Sequence, residues 1–78
     1  MRPADDILAR LCIAYRERRE IELQSGCVTY RTRRAGGVWR QPMIVGYAAS
    51  YPHMMVRQWC RSVDEMIEQM EAMRDGEE

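Results

Sequence analysis

The residues of this chain most able to do chemistry are arginines. The stretch TYRTRRAGGVWRQP, Thr29 to Pro42, sets Arg31, Arg33, Arg34 and Arg40 around a glycine pair, and Arg57 and Arg61 follow. Between Leu23 and Val63 these six arginines meet no acid. Beyond them Asp64, Glu68, Glu71 and Asp75 recur at i, i+4, i+7 and i+11. On a helix that spacing makes one carboxylate stripe, about 16 Å long. All twelve basic residues are arginine, whose planar, multi-donor head suits carboxylates and phosphates. The net charge is nonetheless zero. The signs are segregated, not in excess, and the chemistry on offer is recognition of charge.

Other chemistries lack their parts. His53 is the only histidine, in a turn beside Pro52, and no motif places a serine or cysteine to use it as a base. Paired carboxylates fall on the surfaces of amphipathic helices, where nothing desolvates them to split their pKa values. Gly36-Gly37 is a turn signal and not a phosphate cradle. Cys12, Cys27 and Cys60 are odd in number, with no CxxC pair, so neither zinc nor a disulfide framework is expected. An exposed one of them, such as Cys27, could link two copies under oxidation. The expectation is a non-enzymatic protein with no cofactor and no metal.

These groups must be positioned by very little structure. Seventy-eight residues make a single compact domain, 1–78, with room for one two-layer module. No apolar run approaches the roughly 20 residues of a membrane span. The start, MRPADDILAR, lacks the apolar core of a signal peptide. A cytoplasmic protein is expected, without membrane contact.

Residues 4–20 read as a helix. Pro3 suits its first turn, Asp5 and Asp6 complement its dipole, and Ala4, Ile7, Leu8, Leu11, Ala14 and Tyr15 form an apolar stripe. Arg18 falls on that stripe, so the helix should leave the core near there. Three strands are then expected, about 27–34, 38–49 and 54–61. Gly36-Gly37 supplies a tight hairpin turn, pairing Ala35 with Val38 and Arg33 with Arg40, and YPHM supplies a second turn. Pro42 cannot donate to a ladder, so a bulge or break is expected there. Ser62 and Glu65 form a capping box that opens a helix over 63–74, with Val63, Met66, Ile67, Met70 and Met73 on its apolar face and a frayed tail, 75–78. The fold class is α+β: α-β-β-β-α, a three-stranded antiparallel meander with two helices packed on one face.

Strand parity then assigns the arginines. Counting outward from both turns puts Val28, Tyr30, Trp39, Met43 and Val45 on the covered face. Arg31, Arg33, Arg40, Ile44, Arg57, Trp59 and Arg61 fall on the open one. An open polar face is also what any antiparallel sheet turns to water. A one-residue slip at Pro42 would redistribute part of the set.

The element order resembles that of the double-stranded-RNA-binding domain, across most of the chain and as topology alone. Where that family opens its last helix with a lysine cluster, this chain reads Ser62-Val63-Asp64-Glu65, so the resemblance implies the fold and not the family's grip on duplex RNA. The small size, the polarised charge and the lack of an active-site motif are similar to the anti-CRISPR proteins of phages. That resemblance implies an inhibitor acting by protein–protein contact with an effector complex of a bacterial host, in that host's cytoplasm. Its two candidate surfaces are the basic sheet face (Arg31, Arg33, Arg40, Arg57, Trp59, Arg61) and the acidic stripe (Asp64, Glu68, Glu71, Asp75). The alternative is a nucleic-acid-binding module, with Trp59 stacking a base while the arginines track phosphates. A homodimer is a third expectation, through pairing of unlike charged surfaces.

Overall fold

The computed structural model describes residues 3–76, with side chains from 6 to 73. Helix α1 (Pro3–Arg16), strands β1 (Ile21–Ser25), β2 (Val28–Ala35) and β3 (Val38–Gly46), and helix α2 (His53–Gly76) follow in that order. The strands form an antiparallel meander, β1-β2-β3, and both helices contribute to one core on one face of it. The expected α-β-β-β-α architecture is present. Two of its elements are built from other residues.

Helix α1 buries Ile7, Leu11, Cys12 and Ala14, the apolar stripe of its sequence. It ends at Arg16 and not at residue 20. Arg18 adopts φ 60, while Arg19 N donates to Ala14 O at 2.8 Å and Arg18 N to Tyr15 O at 3.1 Å. That pair of bonds is a Schellman end, with an arginine at the left-handed position glycine usually takes. The Arg18 guanidinium also donates to Tyr15 O at 3.2 Å and lies 5.2 Å from the Tyr15 ring centroid.

Ending the helix there releases IELQS to form β1. Ile21, Leu23 and Ser25 alternate with Glu22 and Gln24, and Gly26, at φ 60, turns the chain so that Ser25 faces Val28. Thr32 ties the connection to β2. Fully buried, it donates to Arg19 O at 2.8 Å and accepts from Ile21 N at 3.1 Å, so its hydroxyl is satisfied both as donor and as acceptor.

The β2–β3 hairpin closes as expected. Gly36 and Gly37 have φ 60 and 78, a positive pair that suits a two-residue turn, and Ala35 faces Val38 and Arg33 faces Arg40. The disturbance expected at Pro42 is a bulge. Between Arg33↔Arg40 and Arg31↔Met43 the register shifts, leaving Gln41 and Pro42 opposite Thr32 alone. A second irregularity between Thr29 and Tyr30 leaves Val45 extra. Tyr30 therefore faces Ile44, which packs on the core, and Met43 joins the open face. The sequence-based assignment of those two residues is reversed, because each inserted residue inverts the parity beyond it.

The larger correction concerns residues 54–61. They are not a third strand but the first turns of α2, and the helix expected at 63 is continuous with them. Ser62 is no cap: its Oγ donates back to Gln58 O at 2.9 Å, inside the helix. Val56, Trp59, Val63, Met66, Ile67 and Met70 recur at helical spacing without interruption across Ser62, and Trp59, Val63 and Ile67 are buried. Burial of that continuous stripe outweighs the strand propensity of single residues. The frayed tail expected over 75–78 begins inside α2, which runs through Gly76, and its last two residues lie outside the described ones.

The core joins Ile7, Leu11, Cys12, Val28, Tyr30, Trp59, Val63 and Ile67. At its centre the Trp59 and Tyr30 rings stand 4.5 Å apart at 49°, within the tilted range aromatic pairs favour. Burial, with the neighbouring Tyr51 and Cys27 groups behind it, pushes the Tyr30 phenol up. Trp59 Nε1 is buried with no acceptor among the described residues. Trp59→Ala should therefore destabilise the fold by about 3–5 kcal/mol in denaturant melts. Trp59→Phe should cost clearly less, since it keeps a ring and removes an unsatisfied N–H. Equal losses would show that the indole N–H has a partner.

Candidate functional site

The six residues expected on one basic sheet face divide between two opposite surfaces and the core. Arg31, Arg33 and Arg40 lie on the open face of the sheet, which neither helix covers, with Arg33 and Arg40 exposed and Arg31 half-buried. Arg57 and Arg61 stand on α2, exposed, on the side opposite Trp59 and Val63. Trp59 itself is 9% exposed and belongs to the core. It cannot stack a base. Arg31 and Arg57 are thus separated by the sheet and by α2, across a body whose shortest extent is 18 Å.

The open face gains two residues that strand counting placed elsewhere. Glu22 of β1 is the direct neighbour of Arg31, which faces Met43 on its other side. The face is therefore not free of acid, contrary to the expectation. IELQS lies between the helix expected over 4–20 and the first strand expected at 27, so strand counting assigns Glu22 to neither face of the sheet. Its alternation and the following Gly26 were the available signal. Glu20 lies near this end of the sheet, where its Oε1 accepts from Arg34 N at 3.1 Å.

Arg33 and Arg40 face each other directly across the β2–β3 ladder. Like charges so placed oppose strand pairing. No acid relieves them: among the described residues the one ion pair is Arg19–Glu17, at 2.7 Å and about half exposed, and exposed pairs of that kind contribute little. Two arginines paired across the ladder, neither side chain making a hydrogen bond or ion pair among the described residues, leave donors free for an anion.

Asp64, Glu68 and Glu71 are exposed along α2, as expected of the acidic stripe, while the side chain of Asp75 lies outside the described residues. The lengthened helix adds a feature that the shorter one lacked. Arg57 and Arg61 extend the same outward stripe toward the N-terminus, so one helix face is basic in its first half and acidic in its second.

Between the end of α1 and the second half of α2 runs a shallow cleft of about 100 Å³, bordered by Cys12, Tyr15, Arg18, Met70 and Glu71. Small-molecule pockets begin near ~300 Å³, so it is a groove between helices. Burial pushes the Cys12 thiol up from 9.0 to about 11, whereas Cys27 and Cys60 are exposed. No group of acids, histidines and cysteines with metal-holding geometry occurs among the described residues, nor is any helix there long and apolar enough to cross a membrane. Comparison of the chain with family models, curated proteins and solved structures finds no match.

Two outcomes are expected. Arg40→Thr, which removes one of the two opposed charges and leaves a good strand former, should raise stability by about 0.2–1 kcal/mol. A loss of stability in thermal melts would mean the pair is internally compensated. The Cys12 thiol is held neutral in the fold and ionises more readily once unfolded. Its contribution is therefore intact below pH 9 and lost as pH rises from 9.0 to about 11, by about 3 kcal/mol in all. Cys12→Ala should flatten the stability profile over that window, and an unchanged profile would contradict the assignment.

Proposed function

We propose that this protein is a non-enzymatic binding protein that acts by protein–protein contact, presenting the open sheet face to an acidic surface of its partner. The observation that carries this reading is the direct opposition of Arg33 and Arg40 on a surface that no helix covers. Such a pair burdens the folded chain and is relieved when carboxylates arrive. Met43 and Arg31 extend the same surface, the first with an apolar contact and the second with a further fork of donors. In its specific form the reading is an inhibitor of the anti-CRISPR kind, seated on an effector complex in the cytoplasm of a bacterial host.

Phosphates would also satisfy the Arg33–Arg40 pair, so a nucleic acid is the second reading. Two features of the face favour a protein. It carries no aromatic platform among the described residues, and Glu22 interrupts the positive track beside Arg31.

The test is co-elution of the purified protein with bacterial effector complexes, set beside gel shifts with single-stranded and duplex oligonucleotides. Wild-type protein should co-elute, and Arg33→Glu with Arg40→Glu should weaken that binding by more than about tenfold. A gel shift that fades steeply with salt would select the nucleic-acid reading. Full binding by the doubly reversed variant would end the assignment of this face.

A further inference from the structure

We infer that the outward face of α2 is a seat for a second copy of this chain, with the two helices running antiparallel about a two-fold axis between Arg61 and Asp64. This goes beyond the proposed function and uses the opposite side of the molecule. Trp59, Val63 and Ile67 face the core, which leaves Met54, Arg57, Arg61, Asp64 and Glu68 exposed on the far side of α2, with Glu71 at the border of the cleft against α1. Their spacing alternates three and four residues, so they lie along one side of the helix. The signs along it read two bases and then two acids. A two-fold axis reverses that order on the partner, so Arg57 of each copy faces Glu68 of the other, and Arg61 faces Asp64. Four unlike pairs result and no like pair meets at the axis.

The surroundings agree with this register. Met54, 69% exposed, faces Glu71 of the second copy in this register, beside the Ala72 end of a shallow concavity lined by Glu65, Glu68, Gln69 and Ala72. Arg57, Arg61, Asp64 and Glu68 make no ion pair within the chain among the described residues, although Arg61 and Asp64 lie three apart. A parallel pair would set like against like along the whole seam. The face is one helix wide, well under the roughly 800 Å² per partner of a standard interface. The assembly is accordingly a weak dimer, dependent on concentration and salt.

Sedimentation equilibrium at millimolar protein tests this. At low salt, where the Debye length is about 30 Å, the mass should approach twice 9.2 kDa; near 1 M salt, where it is about 3 Å, it should return to one chain. Arg57→Glu breaks two symmetry-related exposed pairs and should weaken the dimer by about 2- to 30-fold. R57E/E68R, which exchanges the signs of one facing pair, should restore it, and only this antiparallel register gives that restoration. All these residues are exposed, so circular dichroism should confirm unchanged folding in each variant. A monomer at low salt, a dimer indifferent to Arg57→Glu, or a failure of R57E/E68R to recover would each overturn the inference.

Discussion

The contact on which this structure depends is that between Trp59 and Tyr30. Tyr30 projects from the middle strand, Trp59 from the early part of α2, and their rings meet at 4.5 Å in the centre of the core. That contact holds the longest element onto the sheet and sets the rotation of the helix about its own axis. Once Trp59 points inward, Val63 and Ile67 follow it at helical spacing, and Arg57, Arg61, Asp64 and Glu68 are directed to water. The division of charge between two opposite surfaces is thus a consequence of where one indole is buried.

The bulge at Pro42 has a comparable effect on the sheet. A proline inside a nine-residue strand would break a regular ladder, and the inserted residue accommodates it. Beyond it the parity of β3 inverts, so that Ile44 reaches the core and Met43 joins the arginines. The same proline and its two register shifts lie on an edge strand, where they discourage pairing with another sheet. Thr32, opposite the bulge, has both hydrogen-bonding roles filled by the α1–β1 connection and β1. The middle strand is thereby anchored on both sides.

Neither charged surface is arranged for stability. On the sheet two arginines oppose each other; on α2 the basic and acidic halves form no ion pair within the chain among the described residues. Interactions that weaken a small fold are intelligible where an absent counterpart relieves them. The two surfaces are also compatible with each other. Copies joined through α2 would stack as sheet, helix, helix and sheet, leaving both arginine faces outward on opposite sides of the pair.

Much of this was legible in the chain itself. The apolar stripe of α1, the Gly36-Gly37 reversal with Arg33 beside Arg40, the disturbance at Pro42 and the α-β-β-β-α class follow from local chemistry, side-chain periodicity, positive φ and a missing N–H, although the residues that form one edge strand of the meander do not. The placement of Arg57, Trp59 and Arg61 did not follow, because MMVRQWCR suits a strand as well as a helix and Ser62 with Glu65 imitates a helix start. IELQS falls outside both the expected helix and the expected strands, although its alternation suits a short strand. Only the packed molecule decides such segments, since the free energy that selects between them comes from burying Trp59 against a residue about thirty positions earlier, and no local pattern contains that term.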